Sequence, residues 1–451
     1  MTSRRQFFGC SAAIAAMAGG RVGNLAFTQA NTGSDEVIVV VFLRGGCDGL
    51  SLISPYNDQH YVTSRGTLAV QNAIQLTTGN ASFDAKSNFG LHPLAVPLQD
   101  LYNGQQLAIL HAAGLDDDTR SHFDAMDYME RGTPGNKNTA SGWLTRHLQA
   151  ITSDDDSTFP SVAAGSAPPA SLLSNGNTIA TSDPRSYSLN TPYRFGPDMW
   201  INSMKDAMLN TLDGFYTGGD LVNNGGRRTL DSIRELRKAS VYMPRTGVVY
   251  PGGGFGDSLK TVAQMIKLNL GLRVATVDLG GWDHHESEAV NALDYGPFPR
   301  RADELAKGLR AFYDDMADST DYTKKVTVVV MSEFGRRLGI NASGGTDHGH
   351  GNMMMVLGGN INGGKFYGTW PGLEEHSLDQ KQDLAITTDF RTVLSEIVSK
   401  RLGNAKIGSV FPDITPQIYG PQKSLGIVKG SDGTLDYTSG LTNVYLPLLS
   451  R

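Results

Sequence analysis

Cysteine, net charge and long apolar runs are all scarce in this chain. Two of its 451 residues are cysteine, and only Cys47 lies beyond the first thirty, so the rest of the chain can form no internal disulfide. Lysine and arginine number 39 against 45 acidic residues, without the basic excess typical of proteins that bind nucleic acid or anionic membranes. The 39% hydrophobic and 19% charged content excludes long intrinsic disorder and indicates a globular protein with a substantial core.

The first thirty residues have the pattern of a twin-arginine export signal. Arg4 and Arg5 precede two aromatic residues and the weakly apolar stretch Cys10–Gly19, which is shorter than the about 20 residues that a membrane span needs. A cleavage site follows Ala30. We therefore predict a signal peptide over residues 1–30 and a periplasmic or secreted protein, exported folded by the twin-arginine translocase. The alternative is a cytosolic protein with a chance arginine pair.

Glycine is abundant, at 53 residues, and clusters at the ends of apolar runs, as expected for tight turns after strands. Continuous β-branched runs alternate with helical patterns, which predicts an α/β fold with helices on both faces of a buried sheet. The predicted strands are Glu36–Leu43, Gln106–Ala112, Arg273–Leu279, Lys325–Met331 and Met353–Leu357. The predicted helices are Ser121–Arg131, Ser141–Ile151, Asp257–Leu270, Arg300–Met316 and Thr388–Leu402.

Residues 31–451 are predicted to form a single domain. Within it, residues 152–256 are rich in Ser, Asn, Thr, Gly and Pro, around a helical pattern at Asp198–Lys238. We interpret this segment as an insertion or cap that covers the site and sets its selectivity.

Five of the ten histidines fall in three short segments, at residues 119–124, 280–286 and 345–351. In α/β sheets, ligands from distant parts of the chain converge at strand ends, so this pattern predicts a metal site there. A mixture of histidine and carboxylate favours one or two ions of Zn, Mn or Fe.

The segment after the strand 273–279 supplies two candidate ligands. An extended backbone places Asp283 and His285 on one side and directs His284 away. The alternative is a helix N-cap at Asp283 beside exposed histidines. A glycine-rich loop, which could otherwise be merely solvated, adds the densest group of candidate ligands: Asp347, His348 and His350.

Two carboxylates at strand ends complete the predicted ligands. Asp48 lies in the turn after the first strand, where it can reach a cation or hold its own turn through backbone hydrogen bonds. Glu333 follows the strand 325–331, and a buried carboxylate there needs a cation or an arginine partner. Arg336 and Arg337 are candidates for that partnership, and either could instead bind a phosphate or sulfate group.

Ser121 and His122 begin a predicted helix. Ser121 is either the N-cap of this helix or a nucleophile activated by a metal, with the helix N-terminus favouring an incoming anion. His122 either assists Ser121 or lines the site.

Taken in order, these motifs resemble a bacterial family exported by the twin-arginine pathway, the domain of unknown function 1501 family. That family is similar to a distant branch of the alkaline-phosphatase-like superfamily, which includes sulfatases. The resemblance implies a mixed, mostly parallel sheet sandwiched by helices, and usually two metal ions. It spans nearly the whole chain after the signal and is carried by Phe42–Leu50, Ser121–Phe123, Gly280–His285, Ser332–Arg337 and Gly345–His350.

The resemblance also implies roles for single residues. Asp48 resembles the first-strand aspartate that binds one metal, and Ser121 falls roughly where the hydroxyl nucleophile stands. Asp283 and His285 resemble the aspartate–histidine pair of the other metal, although their spacing is shorter than usual.

The sequence departs from the superfamily pattern at a second aspartate–histidine pair. Glu333 stands in place of its aspartate, and Phe334 puts an apolar ring in place of its histidine. His348 or His350 resembles the last histidine ligand. The second metal site is then either incomplete or rebuilt from Asp347 and the extra histidine, so the fold transfers better than the function.

Two functions are predicted. The first is a metal-dependent hydrolase of phosphate or sulfate esters, in which Ser121 or water attacks a small-molecule or polymer-borne anionic ester. His122 would assist, and an arginine such as Arg336 would neutralise developing charge. The second is an exported binding or assembly protein that retains the fold without turnover. A metal-free scaffold is the third interpretation.

Overall fold

In the computed structural model, the described residues are 36–151, 159–184, 187, 189, 198–238, 242–289 and 295–439; the predicted signal peptide lies outside them. The strands are β1 Val37–Arg44, β2 Ile53–Ser54, β3 Ile74–Leu76, β4 Phe89–Leu91, β5 Leu107–Gly114, β6 Ser161–Ala163, β7 Thr178–Ala180, β8 Val274–Gly280, β9 Val326–Met331, β10 Asn352–Gly358, β11 Phe366–Tyr367 and β12 Thr388–Asp389. The α-helices are α1 Gly49–Leu52, α2 Gln59–Arg65, α3 Ala81–Asp84, α4 Val96–Asn103, α5 His122–Arg131, α6 Trp143–Ile151, α7 Asp198–Asp213, α8 Leu221–Lys238, α9 Gly254–Lys267, α10 Pro297–Met316, α11 Phe390–Glu396 and α12 Ile407–Val410.

Nine of these strands form one sheet, in the order β11-β5-β10-β9-β1-β8-β6-β7, with β12 paired to β5. β1 pairs in parallel with β8 and β9, and β6 pairs in parallel with β8 and β7. Among the described strands of this sheet, β10 alone runs antiparallel to its neighbours, β5 and β9. The predicted α/β fold with a mixed, mostly parallel sheet is confirmed.

The position of β1 explains why its sequence is apolar throughout. Its odd-numbered residues, from Val37 to Leu43, belong to a core shared with α4, α9 and α10. Its even-numbered residues, from Ile38 to Phe42, belong to a second core, shared with α5, α6, α11 and α12. Successive side chains of a strand point to opposite faces, so a strand covered by helices on both faces needs an apolar residue at every position.

The sequence locates β1, β5, β8, β9 and β10 to within two residues at each end. It does not locate β6 and β7, which lie in the segment 152–256 interpreted as a cap and instead extend the main sheet beside β8. Each has only three residues, too few to give an apolar run. α7 and α8 in the same segment share a small core of their own. In the part of the chain that the structure describes, no helix has the length and apolar character needed to cross a membrane.

Candidate metal centre

The loops that carry the predicted ligands meet at one edge of the sheet. The turns after β1, β8 and β9 leave the carboxyl ends of parallel strands. α5 follows β5, which runs in the same direction because both β5 and β9 are antiparallel to β10. The reversed direction of β10 brings the loop that precedes it, residues 345–351, to this same edge. Loops that follow strands and a loop that precedes one can therefore form a single site.

Four side chains meet there and form what we call the histidine–aspartate cluster: His122, Asp283, His285 and His348. The Nε2 atoms of His285 and His348 lie 3.0 Å and 3.1 Å from Oδ1 of Asp283. Nε2 of His122 lies 3.3 Å from Oδ2 of the same carboxylate. The Nε2 atoms of His285 and His348 are 2.9 Å apart. As the sequence predicts, the side chains of Asp283 and His285 lie on the same side of the segment and contact each other. The side chain of His284 points into the protein and is buried.

Each of the three imidazole rings in the cluster is anchored through its Nδ1 atom. All three partners are oxygen acceptors, so each Nδ1 donates its proton and each Nε2 lone pair faces the cluster. Metal-binding histidines are oriented by outer partners in the same way. The pairs are His122 with Oε1 of Glu333 (2.7 Å), His285 with Oδ1 of Asp347 (3.1 Å) and His348 with the backbone oxygen of Arg120 (2.8 Å).

The cluster has the donor set of a transition-metal site. With both Nδ1 protons committed, His285 and His348 direct their lone pairs at each other and at a carboxylate oxygen, so a cation or extra protons must lie between them. Nε2 of His122 is buried and has no hydrogen-bond partner among the described residues. The ligand atoms of His122, Asp283 and His348 all lie within 4.8 Å of one another. The residues therefore fit one ion of the Zn, Mn or Fe type, which His122, Asp283 and His348 would hold, with His285 adjacent to Asp283 and His348.

Two glycines allow the turn after β1 to approach this cluster. Gly45 and Gly46 have φ angles of +118° and +61°. A Cβ atom would lie 2.7 Å from the backbone nitrogen of Asp283 if added to Gly45, and 2.6 Å from the ring of Phe334 if added to Gly46. Any side chain at these positions would displace a ligand or the ring beneath it.

Phe334 forms an apolar wall of the cluster. Its ring centroid lies 4.8 Å from the centroids of both His122 and His348, and the side chain is buried. The ring supports the two imidazoles by packing and offers no ligand atom.

Glu333 is fully buried without an arginine partner among the described residues. The backbone nitrogen of Gly45 donates to its Oε1 at 2.8 Å, and the hydroxyl of Ser332 donates to Oε2 at 3.0 Å. The cation predicted for this carboxylate is thus replaced by the Nδ1 donor of His122. Glu333 lies on the far side of that ring from the cluster and orients it.

Arg336 cross-links the loops around the cluster. Its guanidinium, 1% exposed, donates to the carbonyls of Gly45, Gly46 and Thr346 and, at 2.6 Å, to Oδ1 of Asp283. All three of its nitrogens are occupied within the protein. The structure therefore places Arg336, a predicted catalytic residue, as a positioning residue whose nitrogens are committed to protein partners.

The surroundings of the cluster keep Asp283 ionised. Burial alone would raise the pKa of Asp283, but the hydrogen bond and the positive charge of Arg336 hold it well below its ordinary range. The hydrogen bond to Glu333 raises the pKa of His122, whereas burial lowers the pKa of His348. A negative charge thus persists at neutral pH where the imidazoles meet, which favours a cation.

Asp48, a predicted metal ligand, lies instead against Arg65. Both side chains are fully buried, and the two Nη atoms of Arg65 bond to the two carboxylate oxygens, Nη2 to Oδ1 at 2.8 Å. Burial opposes ionisation of Asp48, but Arg65 lowers its pKa. Burial and the charge of Asp48 raise the pKa of the neighbouring Glu288 to about 8. The guanidinium supplies the positive charge that a metal would have supplied, and Asp48 does not join the cluster.

His350 and Ser121 also have partners outside the cluster. Nε2 of His350 lies 2.7 Å from the backbone oxygen of Asp117, and Nδ1 lies 2.7 Å from Oδ2 of Asp379. Oxygens thus occupy both nitrogens of His350. Ser121 is the N-cap of α5, accepting a hydrogen bond from the backbone nitrogen of Asp124 at 3.4 Å.

Sequence motifs miss several of these contacts. Arg65 lies in no motif, and only the need of buried Asp48 for a cation points to such a partner. Arg120 acts through its backbone carbonyl, which any residue could provide. Asn341 donates hydrogen bonds to Asp347 at 3.1 Å and to the carbonyl of His285 at 2.8 Å, but it lies in a polar loop outside the sequence motifs.

Several solved structures are similar to this chain in their fold. The C-terminal periplasmic domain of EcEptC from Escherichia coli, in complex with Zn, is 9% identical, with 90% of each chain covered and a TM-score of 0.36. The PsFucS1 sulfatase from Pseudoalteromonas sp. is 9% identical, with 96% of this chain and 78% of that chain covered and a TM-score of 0.36. The phosphonate monoester hydrolase of Agrobacterium radiobacter is 9% identical, with 85% and 79% covered and a TM-score of 0.30.

Residues 260–396 match the family model described as "Protein of unknown function (DUF1501)". This segment contains the motifs Gly280–His285, Ser332–Arg337 and Gly345–His350, so the resemblance to that family is confirmed where these motifs lie. No curated protein matches the chain.

Proposed function

We propose that this protein is an exported, metal-dependent hydrolase of phosphate or sulfate esters. The observation that carries the proposal is the convergence of three Nδ1-anchored imidazoles on one ionised carboxylate, Asp283. That arrangement presents lone pairs to a cation at the carboxyl edge of the sheet, where α/β proteins place their functional groups. A bound Zn, Mn or Fe ion would polarise the ester oxygen and make an attacking hydroxyl more acidic.

The protein's own contribution is to fix the ligands. Glu333 and Asp347 keep His122 and His285 in the tautomer that offers Nε2, and Arg336 holds the loop carrying Asp283. We propose one ion rather than two, because Arg65 already neutralises Asp48 and Phe334 occupies the place of a further ligand.

Arg337 is the residue we assign to binding the ester anion. Its side chain is 40% exposed, and its Nε has no hydrogen-bond partner among the described residues. Among the described residues, Arg337 forms an ion pair with Asp383, at 3.9 Å, and Arg120 contacts that carboxylate more closely. Arg337 lines a cavity of about 400 Å³ together with Asp347, the outer partner of His285. A guanidinium there can hold phosphate or sulfate oxygens beside the cluster.

Ser121 is our proposed nucleophile, with water as the alternative. It lies between Arg120, whose carbonyl holds His348, and His122, a ligand of the cluster. Its hydrogen bond as N-cap is long, at 3.4 Å, so the hydroxyl is only weakly committed to the helix. The N-terminus of α5 adds a favourable field for an anion.

Elemental analysis and turnover together test this proposal. Protein exported natively and purified without chelator should contain about one equivalent of Zn, Mn or Fe. It should hydrolyse at least one of p-nitrophenyl phosphate, bis-p-nitrophenyl phosphate and p-nitrophenyl sulfate. Asp283→Asn should lose both metal and turnover, whereas Asp278→Asn, a matched change on the preceding strand, should keep the metal. A folded protein without metal would overturn the proposal. Bound metal without turnover of any ester would favour the binding or assembly protein instead.

The proposed location depends on Arg4 and Arg5, and on the twin-arginine translocase as a transient partner. The similar EcEptC structure is a periplasmic domain, which agrees with this location. Changing both arginines to lysine should leave the protein in the cytoplasmic fraction with residues 1–30 uncleaved. Unchanged processing of that variant would contradict export by this pathway.

A further inference from the structure

A cavity of about 1170 Å³ lies at the carboxyl end of β8, the strand that leads to Asp283 of the histidine–aspartate cluster. Its walls include residues 163–169 and 182–184, the start of α9 and the carboxyl end of β8. The first two segments belong to the region 152–256. The volume slightly exceeds the range of about 300–1,000 Å³ that is usual for pockets that bury a drug-sized ligand.

The cavity adjoins the cluster through β8. Gly280 lines the cavity, and Asp283 follows it by three residues, a span of at most about 11 Å for an extended chain. A short segment of chain therefore links the cavity wall to the cluster.

Both basic residues in the cavity wall are paired with acidic residues of the same wall. Lys260 lies 2.5 Å from Asp257, and Arg301 is paired with Glu304. Asp278 is paired with Arg44, at 2.7 Å, from outside the wall. Asp183 adds a further acidic side chain to the lining. The wall therefore has no surplus of positive charge, which disfavours a polyanionic ligand.

The rest of the wall combines flat apolar surfaces with short polar groups. Pro168, Pro169 and Tyr242 provide apolar faces, and Ser166 and Thr276 provide hydroxyls. Sugar rings have the complementary character, with C–H faces that pack on such surfaces and hydroxyl edges that exchange hydrogen bonds.

We propose that this cavity binds a neutral, hydroxyl-rich carbohydrate, the part of the substrate that carries the ester. This inference rests on the proposed function for its role, but the binding itself requires neither metal nor turnover. The anionic ester would lie at the cluster near Arg337, and the uncharged sugar in the cavity.

Binding to the full mature chain in the presence of a chelator tests the inference apart from the hydrolase proposal. The probes are maltohexaose, cellohexaose, xylohexaose and chitohexaose, with a heparin-derived hexasaccharide as the polyanion, measured by calorimetric titration. At least one neutral probe should bind with a Kd of about 1 mM or tighter. Ser166→Trp and Ala167→Trp, at exposed positions of the wall, should weaken that binding at least tenfold. Ser319→Trp, exposed in the loop between α10 and β9, should leave it unchanged.

Three results would overturn the inference: no binding of any neutral probe, binding that neither tryptophan variant weakens, or tighter binding of the heparin hexasaccharide. If the probes bind as expected but the loaded protein hydrolyses no ester, the carbohydrate site stands and the hydrolase proposal falls.

Discussion

The Nε2 atoms of His285 and His348 lie 2.9 Å apart although the two residues belong to loops on different strands. Each ring is fixed at this distance by an oxygen partner at Nδ1, Asp347 for one and the carbonyl of Arg120 for the other. Two lone pairs held so close repel unless a positive charge lies between them. Their separation approaches the about 3.3 Å expected for two histidine ligands at about 2.0–2.1 Å from a tetrahedral ion.

Glu333→Gln should weaken metal binding while the protein still folds with an intact hydrophobic core. The carboxylate holds Nδ1 of His122 at 2.7 Å, and loss of such an outer partner typically lowers metal affinity by about 10–100-fold. Titration of the chelator-treated protein with Zn²⁺ measures the change. Glu304→Gln, which removes a carboxylate remote from the imidazoles, serves as the control. Equal affinity in the two variants would remove Glu333 from the orientation of the cluster.

The adjacent arginines, Arg336 and Arg337, should have opposite phenotypes. Arg336→Met leaves buried carbonyls and the Asp283 carboxylate without their donor, so we expect a loss of about 3–5 kcal/mol in the free energy of unfolding. Arg337→Met, at a half-exposed position, should change stability by less than about 1 kcal/mol but lower kcat/KM for an ester at least tenfold. Urea unfolding and steady-state kinetics distinguish them. A destabilised Arg337→Met variant with unchanged kcat/KM would contradict the assignment.

Asp48 and Arg65 should behave as a self-contained buried pair. Arg65→Met leaves a fully buried carboxylate unpaired and should cost about 3–5 kcal/mol of stability. The double variant Asp48→Leu/Arg65→Met should recover most of that loss, because it removes both charges. Denaturant midpoints of the two variants give the comparison. The double variant should also retain the metal content of the unaltered protein, and loss of the ion from it would instead identify Asp48 as a ligand.

Glu288 should make the protein less stable as the pH rises. Its pKa of about 8 in the folded state lies above the ordinary 4.5, so between these values the folded protein holds a proton that the unfolded chain releases. This contribution to stability is complete below about pH 4.5 and is lost as the pH rises through about 8. Urea midpoints across this range should fall less steeply for Glu288→Gln than for the unaltered protein. Glu286→Gln, an exposed neighbour, should keep the original slope, and identical slopes in all three would contradict the shifted pKa of Glu288.

The elements that sequence alone predicts are those whose signal is local. β1 is recognisable because both of its faces are buried, and Asp283 and His285 because an extended segment places alternate residues on one side. The partner of a charged or polar side chain, by contrast, is often distant in sequence and leaves no local signal. The sequence shows that Asp48 can reach a cation but not that Arg65 provides the positive charge, and His350 stands in a ligand-like loop although both of its nitrogens are engaged by other oxygens. β6 and β7 are too short for any pattern, and only the pairing of β6 with β8 and of β7 with β6 makes them strands.

The central place of β1 in the sheet also sets the order in which this protein can assemble. β1 is the first strand among the described residues, yet Ile38 pairs with Val274 and Val37 with Val326. The middle of the sheet therefore cannot close until most of the polypeptide has left the ribosome. Until then, a fully apolar segment with open backbone hydrogen-bonding groups has no native neighbour, and such segments bind one another. We therefore expect β1 to be the segment most prone to aggregation during synthesis, until the distant residues of β8 and β9 are available to pair with it.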